Sequence, residues 1–311
     1  MRLLLQHFDS LISLVSHFNN DRQCRDFITE QRWHGKVVCP FCGCTHVYEC
    51  SNGDNQFKCS HCRKRFSCLV GTIFQNTKLP LQKWFMAMYL ISSHKKGVSS
   101  HQLGRDIHVT QKTAWFMLHK VRTLFAQYDD VALEGEVECD EMYLGGREIN
   151  KHESKKTAQT QGRSTKTKVP IFGMIERNGM VRAIQVEDTK AATLLPIIKQ
   201  FCSDNATIFT DELSSYAALA KEGYNHEVVS HGDKEYSRGR ATTNSIEGFW
   251  GHFKRMVFGI YHFVSKEHLQ RYIDEAVYRY NTRKADESAR FADMFRMSIC
   301  AVPYEDVRIV A

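Results

Sequence analysis

Three acidic residues far apart in the sequence lie where predicted strands and a predicted helix would bring carboxylates together. Asp140 falls inside a strand pattern, Asp211 follows the apolar stretch 206–210, and Glu247 belongs to a helix pattern. Carboxylates that meet repel one another unless cations stand between them, and hard divalent ions prefer oxygen ligands. The acids therefore predict a site for two Mg²⁺ ions, with Mn²⁺ as a substitute, where a water or a 3′-hydroxyl attacks a phosphodiester.

Each of these acids also has an ordinary structural interpretation. Asp211 and Glu212 are suited to the N-terminus of a helix, and Glu247 with Lys254 is compatible with a surface ion pair. Taken singly, those interpretations are favoured. Taken together, the three acids favour the metal site, because one fold would bring a strand, a strand end and a helix to the same place.

The order of the predicted elements explains how the acids would meet. Strand and helix patterns follow one another at 136–144, 169–176, 181–186, 191–201, 206–210, 213–221 and 227–230. Three strands, then helix, strand, helix and strand, predict an RNase H-like α/β domain whose first and fourth strands are neighbours, so that Asp140 and Asp211 meet. The sequence leaves open whether Glu138 or Glu141 assists the metals.

The helix pattern TTNSIEGFWGHFKR at 242–255 places four residues on one face, Asn244, Glu247, Gly251 and Lys254. They are three or four positions apart, the spacing at which helical side chains become neighbours. We expect Glu247 at the metals and Lys254 on a DNA phosphate. Asn244 would contact the substrate or a group that holds a metal, and Gly251 leaves room for the DNA strand.

Two pairs of cysteines have the spacing of metal ligands. Cys39 and Cys42 form one C-x-x-C, Cys59 and Cys62 form another, and sixteen residues separate the pairs. Such pairs lie on tight turns that aim thiolates at one ion, so they predict a zinc ribbon whose closed, structural Zn²⁺ site performs no chemistry. Free buried cysteines or a redox pair remain alternatives, as does a different choice among the nearby Cys44, His46, Cys50 and His61.

Two short helices are predicted after the ribbon. Ser99 and Thr110 are suitable N-caps for helices reaching about residues 107 and 125, with a brief turn between them. The second helix carries Lys112, Lys120 and Arg122, which favours a helix-turn-helix that binds DNA phosphates. Any hairpin of two helices gives a similar pattern, and that alternative stays open.

Composition sets broader limits. The 311 residues are 42% hydrophobic with a net charge of +7. Basic clusters at 95–122 and 145–170 favour a polyanion as partner, although either cluster alone is equally compatible with a solvated surface. Six of the eleven cysteines lie between residues 39 and 62, which indicates metal in a reducing compartment. Polar residues interrupt the apolar N-terminus, so we expect a packing helix there and a cytoplasmic, nucleoid-associated protein without membrane contact.

The chain contains, in this order, VECDEMYLGG, IFGMIERNGMVRA, IFTDELSSY and TTNSIEGFWGHFKRMVFGIYHFVSKEHLQRYIDEAVYRYNTR. Together these stretches resemble the transposase domain of bacterial insertion sequences in the family numbered fifteen ninety-five, whose N-terminus is also a zinc ribbon. The resemblance implies a DDE transposase in which Asp140, Asp211 and Glu247 are the catalytic triad. It also implies that Lys254 is the basic residue seven places after the third acid.

The resemblance further implies a reaction in two stages: hydrolysis at the element's end frees a 3′-hydroxyl, which then attacks a target phosphodiester. The partners would be double-stranded DNA of the element ends and of the target, held by a homo-oligomer. The ribbon and helix pair would recognise the terminal inverted repeats. The predicted domains are a helical segment 1–30, the zinc ribbon 31–75, a helix-turn-helix module 78–128, the catalytic domain 132–285, with a DNA-clamping insertion at 147–168, and a tail 286–311.

Two other functions compete with this interpretation. A sequence-specific DNA-binding regulator would share the ribbon and the helix pair, but it has no use for the three acids together. A different RNase H-like nuclease, such as a ribonuclease or a junction resolvase, would not require the N-terminal half. The segment 262–281, where aromatic and basic residues are interleaved, is expected to pack beneath the 242–255 helix, with contact to DNA as the alternative.

Overall fold

The computed structural model describes residues 8–50, 55–126, 131–145, 152–157, 164, 166–229 and 242–299. The chain folds as two compact units, of which the first comprises Met1–Gln127 with Lys284–Ala311 and the second comprises Tyr128–Arg283. Among the residues described, no helix is both long enough and apolar enough to cross a bilayer.

Helices and a small sheet make up the first unit. Its elements up to residue 125 are α1 (Leu11–His17), α2 (Asp21–Trp33), β1 (Val47–Glu49), β2 (Gln56–Cys59), β3 (Arg65–Ser67), α3 (Leu81–Ser93), α4 (Ser100–Asp106) and α5 (Gln111–Phe125).

A mixed sheet with helices on both faces makes up the second unit. Its elements are β4 (Glu136–Leu144), β5 (Val169–Glu176), β6 (Val181–Gln185), α6 (Ala191–Phe201), β7 (Thr207–Thr210), β8 (Asn225–Val228), α7 (Asn244–Met256) and α8 (Leu269–Asn281). The chain then returns to the first unit with α9 (Glu287–Ile299).

The strands of the first unit form an antiparallel ribbon in the order β1-β2-β3. Phe57 and Phe66 are paired across β2 and β3, and both pack with Cys39 and Cys59 in a small core. The ribbon predicted from the cysteine spacing is therefore present. Its predicted turn at 51–54 lies outside the described residues.

The two helices after the ribbon have the predicted caps. The Ser99 hydroxyl accepts a hydrogen bond from the Gln102 amide at 3.1 Å, and the Thr110 hydroxyl accepts one from the Thr113 amide at 3.2 Å. Gly104 allows the turn to close on α4, since a Cβ there would lie 3.0 Å from the Val109 carbonyl oxygen.

The C-terminal segment, predicted as a tail at 286–311, contains a helix that completes the first unit. The Phe295 ring lies 5.1 Å from the Phe85 ring of α3, and the Phe291 ring lies 5.9 Å from that of Tyr89. Phe291 and Phe295 are four positions apart, so they share one face of α9. That apolar face requires a partner, and α3 supplies it.

The sheet of the second unit has the order β6-β5-β4-β7-β8. β4 pairs antiparallel with β5 and parallel with β7, so the predicted first and fourth strands are neighbours. β5 is buried along most of its length, because it lies inside the sheet and both faces are covered. Ile171 and Ile175 pack with α7 and α8, and Phe172 and Met174 pack with α6.

Three predictions for the second unit need correction or a limit. The helix predicted at 213–221 is two short 3₁₀ turns, Ser214–Tyr216 and Leu219–Glu222, because Tyr216 and Leu219 both enter the core and a three-residue repeat suits the tighter turn. The last strand, predicted at 227–230, begins two residues earlier, at Asn225. The insertion 147–168 lies largely outside the described residues.

Candidate active site

β4 and β7 carry two of the predicted acids to the same place. The strands run parallel with Glu138 opposite Phe209, so Asp140 and Asp211 each lie two residues further on. In the described part of the chain, carboxylate oxygens of Asp140, Glu141 and Asp211 all lie within 4.8 Å of one another. Asp140 and Asp211 therefore meet as predicted, and Glu141 joins them.

Glu141 is hard to assign from the sequence because consecutive residues of a strand point to opposite faces. The pairing of β4 with β7 ends at Glu138, so Glu141 lies beyond the paired part of that edge. The Tyr216 hydroxyl donates a hydrogen bond to its carboxylate. Burial and the nearby Glu141 charge hold the pKa of Tyr216 well above its ordinary value, so the hydroxyl keeps the proton that it donates.

Trp250 of α7 orients Asp140. Its indole Nε1 donates a hydrogen bond to the Asp140 carboxylate at 3.0 Å. The indole ring lies against Gly173, the β5 residue paired with Asp140, where an added Cβ would come within 2.4 Å of the ring. Sequence patterns indicate neither residue as part of the site, although a lone glycine inside a strand is a sign of close approach.

The pKa of Asp140 is raised to about 6. Burial is the largest cause, the charges of Asp211 and Glu247 add to it, and the hydrogen bond from Trp250 opposes it. The raised pKa reflects burial of the Asp140 carboxylate first and the neighbouring negative charges second. Three convergent carboxylates fit a hard divalent cation such as Mg²⁺ or Mn²⁺, which prefers oxygen ligands and would relieve the repulsion.

Glu247 lies in the first turn of α7 and is exposed. The Thr243 hydroxyl donates a hydrogen bond to its carboxylate at 3.1 Å. Its charge contributes to the raised pKa of Asp140, so it acts on the same site. Its carboxylate does not belong to the group of three whose oxygens lie within 4.8 Å; Glu141, whose participation the sequence left open, is the third member.

A buried carboxylate holds the N-terminus of α7 against β4. Glu138 is 0% exposed, and its carboxylate accepts hydrogen bonds from the amides of Ser245 at 2.8 Å and Ile246 at 3.1 Å. It also accepts one from the Ser245 hydroxyl at 3.0 Å. A carboxylate at this end of a helix satisfies amides that lack partners within the helix. Glu138 therefore fixes the turn that carries Glu247.

Arg177 completes this connection. Its guanidinium donates to Glu138 at 2.9 Å and to Glu136 at 2.7 Å, and it also donates to the Thr242 carbonyl at 3.0 Å. The guanidinium lies 4.1 Å from the centre of the Phe209 ring. The Glu138 charge is thus paired as well as hydrogen-bonded, which is the condition under which a carboxylate tolerates full burial.

The remaining predicted residues of α7 lie on its surface. Asn244 and Lys254 are exposed, one at the start and one near the end of the helix. A Cβ at Gly251 would meet the Arg255 guanidinium at 3.4 Å, an ordinary contact with a flexible side chain. These positions leave Asn244 and Lys254 accessible to a large ligand.

The predicted cysteine ligands also meet. The sulfur atoms of Cys39, Cys42, Cys59 and Cys62 lie within 4.8 Å of one another. Two of the separations, Cys39 to Cys62 and Cys42 to Cys59, are 3.6 Å. Four sulfurs about 2.3 Å from one zinc ion are separated by about 3.8 Å in a tetrahedron, so this cluster fits zinc.

Comparison with known proteins agrees with these two sites. Residues 132–281 match the ISXO2-like transposase domain, and residues 19–65 match the transposase zinc-ribbon domain. An uncharacterized transposase-like protein of Haemophilus influenzae is 30% identical over 101 residues, covering 32% of this chain and 80% of that protein. The chain belongs to the ISXO2-like transposase family.

Other similar proteins include an uncharacterized protein in transposable element ISH50 of Halobacterium salinarum. It is 29% identical to this transposase over 272 residues, covering 83% of this chain and 90% of that protein. Among solved structures, a pre-cleavage Mos1 transpososome aligns with 15% identity over 70% of this chain and 76% of that chain. Its TM-score is 0.28, which is too low to identify a shared fold.

The cations predicted to bind DNA on α5 of this transposase occupy different environments. Lys112 is exposed in the first turn. Lys120 is partly buried, its ammonium donates to the Ile73 carbonyl at 2.9 Å, and burial lowers its pKa. Arg122 is 2% exposed, so its predicted contact with DNA is wrong. Position 122 lies on the same helical face as Leu118 and Phe125, which both enter the core.

Proposed function

We propose that this transposase cleaves DNA strands at the ends of its insertion sequence and joins them to target DNA in a metal-dependent reaction. The observation that supports it best is the convergence of the Asp140, Glu141 and Asp211 carboxylates within 4.8 Å. Asp140, Asp211 and Glu247 would be the catalytic acids of an RNase H-like domain. Glu141, held by Tyr216, would assist them.

In this proposal the acids hold two divalent cations, Mg²⁺ or Mn²⁺. When bound, such cations lower the pKa of an attacking water or hydroxyl and stabilise the oxygen that leaves. Asp140 is kept in position by the Trp250 indole, and Asp211 by the hydrogen bond that its carboxylate accepts from the Leu213 amide at 2.9 Å. The exposed Lys254 would contact a phosphate of the DNA, and Asn244 would contact the substrate.

The proposed reaction has two steps. Water attacks the phosphodiester at the end of the element, the bond to the 3′-oxygen breaks, and a 3′-hydroxyl and a 5′-phosphate result. The 3′-hydroxyl then attacks a target phosphodiester in line, forming a new phosphodiester and releasing the target's own 3′-hydroxyl. Both ends of the element must be joined together, so we expect a homo-oligomer acting on the nucleoid.

Recognition of the terminal inverted repeats would belong to the first unit. The ribbon, with a structural zinc on Cys39, Cys42, Cys59 and Cys62, presents the exposed Phe41 and Tyr48. α4 and α5 form a capped helix pair that would act as a helix-turn-helix, and the exposed Lys112 would contact a phosphate. Lys120 and Arg122 are better explained as structural residues of α5.

A cleavage and joining assay tests this proposal. Purified protein is incubated with Mg²⁺ and labelled DNA carrying the element's ends, and nicked and joined strands are separated by denaturing electrophoresis. Asp140→Asn, Asp211→Asn and Glu247→Gln should each abolish both products, whereas Asp204→Asn, a change at an exposed acid of the same unit, should leave them unaltered. Products that persist in all of the first three variants would reject the site.

A further inference from the structure

The segment that follows α7 presents two exposed phenylalanines. Residues Val257–Tyr261 continue the helix as a π-helical turn. Phe258 is 56% exposed and Phe263 is 79% exposed, although both are large apolar side chains. Leaving a phenylalanine in water instead of burying it is unfavourable, and π-helical turns are common at functional sites.

The residues next to the exposed rings are anchored in the core. Val257 is buried in the core beneath α7, and Val264 packs against the same core. Between them, the Tyr261 hydroxyl donates to Glu275 at 2.9 Å, and its ring lies 4.8 Å from the Tyr272 ring. The inward residues anchor the segment on both sides of the exposed rings, so their outward direction is fixed by the fold.

The backbone at the tip of this segment adopts an uncommon conformation. His262 has φ 61°, in the region that residues with a Cβ seldom occupy. It directly precedes Phe263 in the chain. Conformations of this kind are unfavourable and concentrate at ligand-binding and active sites. The fold therefore tolerates an unfavourable backbone and unburied rings at one place.

The charged residues that flank the exposed phenylalanines in the sequence are mostly positive, although the exposed Glu267 follows Lys266. Lys254, Arg255 and Lys266 are all exposed, and residues 248–266 contain no acidic side chain. A basic surface of this kind favours a polyanion as its partner. Aromatic faces beside cations are the combination by which proteins bind single-stranded nucleic acid, with bases on the rings and phosphates on the cations.

We propose that Phe258 and Phe263 stack on unpaired bases of the DNA, while Lys254, Arg255 and Lys266 contact the adjoining phosphates. This inference rests on the proposed function, because Glu247 lies on the helix that leads into the segment. Phe258 follows Glu247 by eleven residues, which is about 16 Å along a helix. At about 3.4 Å per nucleotide, the stacked bases lie roughly five nucleotides from the scissile phosphate.

Fluorescence anisotropy with the full-length protein tests the stacking. The probes are a blunt duplex and the same duplex with an unpaired tail of about five thymidines. The wild type should bind the tailed probe more tightly. A double variant with Phe258→Ala and Phe263→Ala should weaken that binding by at least roughly 30-fold and leave the blunt duplex unaffected.

Matched double variants separate stacking from a general apolar contact. Replacing both residues by Trp should keep the preference for the tail, because an aromatic face remains. Replacing both by Leu should lose it, because Leu is apolar but has no ring. A Leu variant that binds the tailed probe like the wild type would overturn the proposal. So would an Ala variant whose preference is unchanged, or one whose oligomeric state changes in analytical ultracentrifugation, since the surface would then lie between copies.

The cleavage assay distinguishes a failure of the stacking proposal from a failure of the proposed catalysis. If the wild type cleaves nothing with Mg²⁺ but prefers the tailed probe through its aromatic residues, the proposed catalysis fails and the stacking surface stands. If cleavage depends on Asp140 while the Ala variant keeps the tail preference, the stacking fails and the catalysis stands. Thermal melting of each variant should match the wild type, because both rings are exposed.

Discussion

The ionised Asp140 carboxylate is destabilised in the folded chain, and a bound cation would stabilise it. Burial and the charge of Asp211 disfavour its ionised form, while Trp250 donates a hydrogen bond that favours it. Burial and the Asp211 charge outweigh the hydrogen bond, since the pKa of Asp140 rises from its ordinary value of 3.8 to about 6. A single carboxylate thus links the stability of the metal-free protein to pH.

The first prediction concerns that link. The pKa of Asp140 is higher in the folded chain than in the unfolded chain, so folding of the metal-free protein takes up a proton. The stability that this proton contributes is fully present below pH 3.8 and is lost as the pH rises through about 6. Asp140→Asn should therefore raise the free energy of unfolding above about pH 7 by roughly 1 to 3 kcal/mol without metal. Urea denaturation with chelator measures this.

Adding Mg²⁺ should reverse the ranking in the same experiment. The wild type gains stability by binding the cation, whereas the Asn variant has lost a ligand and gains less. Asp204→Asn, at an exposed acid, serves as the control and should follow the wild type under both conditions. An Asp140 variant no more stable than the wild type in chelator would contradict the prediction.

The second prediction concerns two glycines with opposite surroundings. A Cβ at Gly173 would lie 2.4 Å from the Trp250 ring, whereas a Cβ at Gly248 meets nothing within 4 Å. Gly173→Ala should lower the free energy of unfolding by about 1 to 3 kcal/mol through overpacking. Gly248→Ala lies inside α7 and should raise it by about 0.5 to 1 kcal/mol. If both substitutions change the free energy of unfolding equally in chemical denaturation, Trp250 is not closely packed against β5 at Gly173.

At the scale of elements, α7 is placed by its contacts with β4 and β5. Glu138 accepts the amides of its first turn, and Trp250 reaches Asp140 from further along the helix. Glu138 and Asp140 are two positions apart, so they point to the same face of the sheet. One strand therefore supplies both an acid of the site and the group that holds the helix carrying Glu247.

The third prediction tests this role of Glu138. Removing one partner of a buried, hydrogen-bonded ion pair leaves the other uncompensated, so Glu138→Ala should lower the free energy of unfolding by about 3 to 5 kcal/mol. Glu136→Ala is the matched control: Glu136 binds the same Arg177 at 2.7 Å but is partly exposed, so its loss should cost less than about 1 kcal/mol.

Glu138→Gln separates positioning from stability. A glutamine keeps an oxygen that can accept the α7 amides but has no charge for Arg177, so the fold should survive with a smaller loss. If Glu138 positions Glu247, strand cleavage in this variant should fall at saturating DNA while DNA affinity stays unchanged. A variant that is destabilised but cleaves at the wild-type rate would show that the contact serves only stability.

At the scale of the whole molecule, the two units stabilise themselves by different means. The second unit has an extensive core on both faces of its sheet. The ribbon of the first unit has only a small core around Phe57 and Phe66, so we expect its fold to depend on a metal ion bound by its four clustered cysteines. The helices of the first unit are completed by α9, from the other end of the chain.

The fourth prediction follows from the ribbon. A double variant with Cys39→Ser and Cys62→Ser should lose the bound zinc, measured by elemental analysis. Cys44→Ala should keep it, because Cys44 lies nearby but outside the cluster of four sulfurs. Zinc retained by the double variant, or lost from the Cys44 variant, would refute the ligand assignment. Mg²⁺-dependent stabilisation of the second unit should persist in both variants.

The features that were predicted correctly from the sequence are mostly those set by residues close together in the chain. The caps at Ser99 and Thr110 and the C-x-x-C pairs are local patterns, and the structure has them where they were expected. Most strand and helix patterns were also placed well, with the exception of the helix predicted at 213–221. The adjacency of β4 and β7 also followed, because few sheet orders accommodate three antiparallel strands and a helical crossover. That adjacency was enough to bring Asp140 and Asp211 together.

Tertiary structure alone decided the contacts that no local pattern encodes. Glu141 joins the acids because β4 extends beyond its pairing with β7, whereas the sequence left open whether Glu138 or Glu141 takes part. Arg122 is buried because its helix turns that face to the core, whereas its charge alone suggested DNA. Trp250 and Gly173 form one contact from positions 77 residues apart. Charge and periodicity are properties of the chain, but burial and proximity arise only when distant segments pack.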